Sequence, residues 1–95
     1  MAKYRKKPVE VEAEPVREIL KAFESNWNAL PKWVLEAYQK TIIHTVTGNG
    51  FIVKTLEGNM QATIYDMLIQ GISGEIYPCK IDIFNKTYDR VIGDE

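Results

Sequence analysis

Along the chain the spacing of apolar residues changes twice, and each change marks a new kind of element. Residues 8–14, PVEVEAE, alternate strictly: Val9, Val11 and Ala13 point one way and Glu10, Glu12 and Glu14 the other, the period of a half-buried strand. Three carboxylates on one strand face repel one another, so that face is expected to be open to water or opposed by cations. From Pro15 the period becomes helical. Val16, Ile19, Leu20 and Phe23 recur at i, i+3, i+4 and i+7, and Pro15 suits a first helical turn. SNWN ends this helix. Pro31 then opens a second, PKWVLEAYQK, with Val34, Ala37 and Tyr38 on one stripe and Trp27 and Trp33 near enough to cover it.

From residue 41 the period returns to two. TIIHTVT and FIVKTL flank Gly48-Asn49-Gly50, residues that tolerate positive φ, and together they predict a hairpin. EGN at 57–59 predicts a second turn before MQATIY, and Gly71 with Gly74 frames a third before EIYPC. Pro78 has no N–H to donate, so it is expected to end that strand or to lie on a sheet edge. DIFNKTYDRV reads as one helical turn capped by Asp82, followed by a short strand carrying Tyr88 and Val91. The predicted architecture is α+β: an N-terminal strand, two short helices, then an antiparallel meander of four to five strands, as an open sheet or a small barrel.

Composition changes this picture little. Ninety-five residues, 45% hydrophobic and 26% charged, predict one domain with a modest core that needs no disulfide or metal. The single cysteine forms no internal disulfide, the N-terminus MAKYRKKPVEVEAEP lacks the apolar centre of a signal peptide, and no apolar run reaches membrane-spanning length. The expected compartment is therefore the cytoplasm. Lys3, Arg5, Lys6 and Lys7 give the first seven residues, read as a mobile basic end, a charge of +4; the overall net of −1 leaves about −5 for residues 8–95. An acidic body argues against direct nucleic-acid binding, which depends on neutralising phosphates.

Candidate chemistry is sparse. Cys79 and His44 are the only cysteine and histidine, and no third residue stands out to orient them as nucleophile and base. Lys80 beside Cys79 would lower the thiol pKa in an exposed site, but a lone cysteine at a strand end reads first as a small buried hydrophobe. No CxxC, HxxH or HExxH spacing occurs, so no metal or cofactor is expected. The GNG and GISG segments lack a following helix and read as turns rather than phosphate cradles. Trp27 and Tyr77 sit beside turn residues or proline, positions where an aromatic can stand exposed as a contact anchor.

Three blocks in order carry a resemblance: MAKYRKKPVEVEA at 1–13, IVKTLEGNMQA at 52–62 and GISGEIYPCKIDIFNKTYDRV at 71–91. They resemble a widespread family of small proteins encoded by bacterial phages and prophages, mostly of unassigned function. The stretch YDMLIQGISGEIYPCKIDIF keeps the family's Asp66, Gly71, Gly74, Glu75, Tyr77, Pro78, Cys79, Asp82 and Phe84, but has Tyr65 for a glycine, Gln70 for a lysine and Ile81 for a proline. The resemblance implies a phage setting and no catalytic residues.

Within that setting the expected function is a non-enzymatic protein that binds a host protein, an anti-defence inhibitor for which a CRISPR-associated nuclease is one candidate target. Glu10, Glu12, Glu14 and Trp27 are the expected contact residues. One alternative is a small-ligand or nucleotide binder with a pocket lined by Lys54, Tyr77 and Lys80; another is a structural or assembly component of the phage particle.

Overall fold

The computed structural model describes residues 1–5, 7–46 and 50–92. Strand β1 (Glu12–Pro15) runs directly into α1 (Val16–Ser25), with Pro15 in extended backbone as the N-cap. A 3-10 turn over Trp27–Ala29 leads to α2 (Lys32–Gln39), for which Pro31 is the N-cap. The remainder is β2 (Ile43–Thr45), β3 (Gly50–Thr55), β4 (Gly58–Thr63), β5 (Asp66–Gln70), β6 (Ile76–Lys80) and α3 (Ile81–Thr87). The α+β class read from the sequence is the one observed.

The strands form two antiparallel three-stranded sheets, ordered β1-β5-β6 and β2-β3-β4. Both are open, so the barrel alternative does not apply. Helix α1 touches β1 and β5 of one sheet and β3 and β4 of the other. Its Val16 and Ile19 are fully buried, and they share a core with Val34 and Ala37 of α2, Phe51, Val53 and Ala62 of one sheet, and Leu68 and Ile76 of the other. Each aliphatic side chain so buried stabilises the fold by about 1.5–3 kcal/mol. In the register Ala13↔Ile69↔Tyr77 the side chains point to the opposite face from Leu68. Ile69 is nonetheless fully buried, because α3 packs against β5 and β6.

Several local expectations are corrected. The N-terminal strand begins at Glu12 rather than Pro8, because β5 ends at Gln70, the partner of Glu12, and Gly71 begins a turn. Pro15 closes that strand instead of occupying the first helical turn. The stretch MQATIY is not one strand: it breaks at Ile64 and Tyr65, and a further strand, β5, starts at Asp66 in the other sheet. One continuous meander thus becomes two sheets. Pro78 lies in the middle of β6 and does not end it; β6 is an edge strand, where a missing N–H is tolerated. Asp82 is not the cap of α3. That position is Lys80, and the Asp82 carboxylate accepts the Ile83 N–H at 2.9 Å. The helix continues to Thr87, and Tyr88 and Val91 follow it without forming a strand. Of the hairpin tip, Gly48 and Asn49 lie outside the described residues, while Gly50 begins β3. A Cβ on Gly50 would collide with the Ala62 carbonyl oxygen on the paired strand β4.

Two junctions have no glycine or proline to announce them. Helix α2 ends with Thr41 at φ 59, a left-handed position usually held by glycine. The Thr41 and Ile42 N–H groups donate to the carbonyls of Tyr38 and Ala37 at 3.0 and 2.9 Å. At the crossing between sheets, buried Asp66 accepts the Thr63 N–H at 2.8 Å and the Thr63 hydroxyl at 3.3 Å. The Tyr65 N–H donates to Thr63 Oγ1 at 3.2 Å. Removing the acceptor leaves the half-buried Thr63 N–H without its charged partner, so Asp66→Ala is expected to lower unfolding free energy by about 1–3 kcal/mol in a urea titration. Asp66→Asn, which keeps one acceptor oxygen, is expected to lose less; an unchanged midpoint for Asp66→Ala contradicts this role.

Candidate functional site: an acidic groove along β1

Strand β1 has β5 as its strand neighbour on one side and is the edge of its sheet on the other. A groove of about 650 Å³ follows this part of the chain, lined by every residue from 9 to 15. Successive residues of an extended chain point to opposite faces. A groove that all seven line therefore runs along the edge of the segment rather than over one face. Met67, Phe84 and Tyr88 flank it on the side covered by α3, and Pro31 and Trp33 flank it on the side of α2.

Glu10, Glu12 and Glu14, predicted together from their alternation, are together along this groove. Asp89 joins them and Arg90 opposes them, giving four carboxylates against one guanidinium. Glu10 and Glu12 are exposed, whereas Glu14 is half-buried. Burial pushes the Glu14 carboxyl above its ordinary value, and the neighbouring charge of Glu18 adds to the shift. Trp33, Phe84, Tyr88, Asp89 and Arg90 were not singled out by sequence as parts of a site. They reach the groove through tertiary packing, for which the local pattern holds no signal.

Trp27 lies elsewhere. It is 44% exposed, and its ring packs 4.9 Å from Phe23 and 5.3 Å from Tyr38, in a three-ring cluster joining α1 to α2. An exposed contact anchor is thus also a packing residue. Of the residues expected to bind a small ligand, none lines the groove. Lys54 is exposed on β3 in the other sheet, and Lys80 is exposed at the start of α3. Tyr77 is half-buried on β6 and its side chain hydrogen-bonds Tyr88. Burial, that hydrogen bond, and the charges of Tyr88, Glu75 and Cys79 push the Tyr77 phenol up to about 12.

Cys79 is half-buried on β6, not fully buried as expected, and its thiol approaches the Lys80 carbonyl at 3.6 Å. Its pKa is raised, first by burial and then by Asp66 and Asp82, the reverse of the activation that Lys80 would provide. His44 is exposed on β2 of the other sheet. Among the described residues no group of three or more His, Cys, Asp or Glu could hold a metal, and no helix is long and apolar enough to cross a membrane.

Comparison of the chain with protein-family models, with curated proteins and with solved structures gave no match. The resemblance to phage-encoded proteins rests on the three sequence blocks alone.

A raised carboxyl pKa in the folded state has a definite sign. Protonated Glu14 favours folding below the ordinary value of 4.5, and that contribution is lost as pH rises through the higher folded value. Charged Glu14 therefore opposes folding at neutral pH, and Glu14→Gln is expected to raise Tm there. Below pH 4.5 the gain is expected to shrink toward zero; equal gains at both pH values contradict the assignment.

Proposed function

We propose that this chain is a non-enzymatic, phage-encoded binding protein that engages a host protein in the bacterial cytoplasm as an anti-defence inhibitor. A CRISPR-associated nuclease is one candidate target. The observation that carries the binding reading is the acidic groove along the open edge of β1, which Glu10, Glu12 and Glu14 all line. A sheet edge offers unpaired backbone donors and acceptors to a partner chain, and a row of like charge steers a partner of opposite charge toward it.

Cys79 and His44, the residues the sequence offers as nucleophile and base, lie on β6 and β2 of different sheets. Burial raises the Cys79 pKa, so its thiol is held protonated at neutral pH, where a nucleophile would need to be the thiolate. The phage and host setting rests on the resemblance of the MAKYRKKPVEVEA and EIYPCKIDIF blocks.

Affinity capture from an infected host lysate tests this reading with three tagged forms: the unaltered chain, a triple Glu10→Gln, Glu12→Gln, Glu14→Gln variant, and Trp27→Ala. The unaltered chain is expected to retain one host protein stoichiometrically. The triple variant is expected to retain about a tenth as much or less, with its fold intact by circular dichroism, since removing charge from a partner-facing row weakens capture. No retained protein, or equal retention by all three forms, overturns the proposal.

A further inference from the structure

We infer that the groove takes an extended peptide segment with lysine or arginine at every second position, which adds to the sheet as a new strand beside β1. This rests on the binding reading above and specifies the chemistry of the partner.

The backbone argument comes first. Among the described residues β1 pairs only with β5, on one side, and an unpaired edge is a template for one more strand. The groove follows residues 9–15; the strand within it, Glu12–Pro15, gives at about 3.3 Å per residue an edge of roughly 13 Å, on which the middle of a short peptide pairs while its end runs beside residues 9–11. Glu12 and Glu14 sit at the strand period on β1, and Glu10 continues the same spacing in the sequence just before it. On an added strand the residues directly opposite them lie on the same face, also at every second position, so alternating cations match the row and consecutive cations do not. Glu12 and Glu14 share the strand face of Leu68 and Ile76, the side of α2, where Trp33 lines the wall beside Glu12 and the aliphatic stem of a lysine or arginine packs. Glu14 is half-buried with a raised pKa, a tension that an apposed cation relieves.

A second copy of this chain fits the edge poorly. In a two-fold antiparallel pair of β1 edges the axis passes through a residue pair, so even-numbered residues face even-numbered ones and glutamate meets glutamate. Sliding the pair so that the basic end reaches the groove sets Lys3, Arg5 and Lys7 across from Ala13, Val11 and Val9, away from the carboxylates, and leaves Lys6 as the one cation of that end facing a glutamate. The acidic row thus disfavours self-association at the edge and selects a basic partner. Phosphate-bearing ligands are repelled by the same row.

The test is fluorescence anisotropy with three labelled seven-residue peptides of identical side chains. In the first, four lysines alternate with threonine and valine; in the second, the four lysines are consecutive; the third is the alternating sequence with backbone N-methylation at every second amide, which removes hydrogen-bond donors along one edge. The alternating peptide is expected to bind, the other two about tenfold more weakly or worse, and the triple Glu→Gln variant to lose affinity for the alternating peptide by a similar factor. No binding, or equal binding of all three peptides, overturns strand addition. Sedimentation showing that the unliganded protein dimerises, with the triple variant monomeric, also overturns it in favour of a second copy. The two proposals fail separately. Host-protein capture that excess alternating peptide does not compete away rejects this inference and leaves the host-binding reading standing. Selective peptide binding without any captured host protein does the reverse.

Discussion

Val16 and Ile19 are fully buried, and the helix that carries them touches strands of both sheets. Much of the architecture follows from that shared burial. Neither three-stranded sheet is large enough to close on itself, and each needs an apolar face to lie against. α1 supplies that surface to both. β1 enters α1 through Pro15 with no intervening residue, so the seat of the helix also places β1, at the margin of its sheet with β5 on its inner side. Among the described residues no strand pairs with the outer side. The open edge is thus a consequence of how the core is assembled.

Edges of this kind invite aggregation, and proteins commonly guard them with charge or proline. Here Pro15 closes one end of β1, and the strand carries the carboxylates of Glu12 and Glu14, with Glu10 just before it. The guard has a stability consequence, because Glu14 is half-buried with a raised pKa. A carboxylate kept in such a place opposes folding at neutral pH and favours any cation brought against it, so protection from like edges and attraction of basic ones arise from the same residues. Elsewhere, the hydrogen bonds at Asp66 hold the turn where the chain crosses from one sheet to the other, and the Ile81 N–H donates to the Tyr65 carbonyl at 3.1 Å. The start of α3 is thereby tied to that same turn. Through Phe84 and Tyr88 of the α3 region, this crossing helps to build one wall of the groove.

What the sequence revealed was whatever has a local period. The α1 stripe, the α2 stripe and the part of the N-terminal alternation that falls in β1, from Glu12, were legible because side-chain direction follows from spacing alone. The division into two sheets was not. Nothing in MQATIYDMLIQ marks the break at Ile64 and Tyr65, since the turn depends on Asp66 accepting from Thr63 rather than on glycine or proline. The end of α2 at Thr41 was hidden for the same reason. Pro78 carried an ambiguous signal: a missing N–H marks an edge or an end, and only the strand order decides between them. Of the groove, one side was readable in the glutamate row. Trp33, Phe84 and Tyr88 come from segments distant in sequence and meet there only when α2 and α3 are packed.

The most direct test of this account is amide hydrogen exchange of residues 12–14 in the free protein, read residue by residue by NMR. An edge strand has alternate amides paired and the others turned to solvent. The account predicts alternating slow and fast exchange there, with the fast amides becoming protected when the alternating lysine peptide is added. Uniformly slow exchange across all three amides in the free monomer would show that the outer edge of β1 is already covered, and would contradict it.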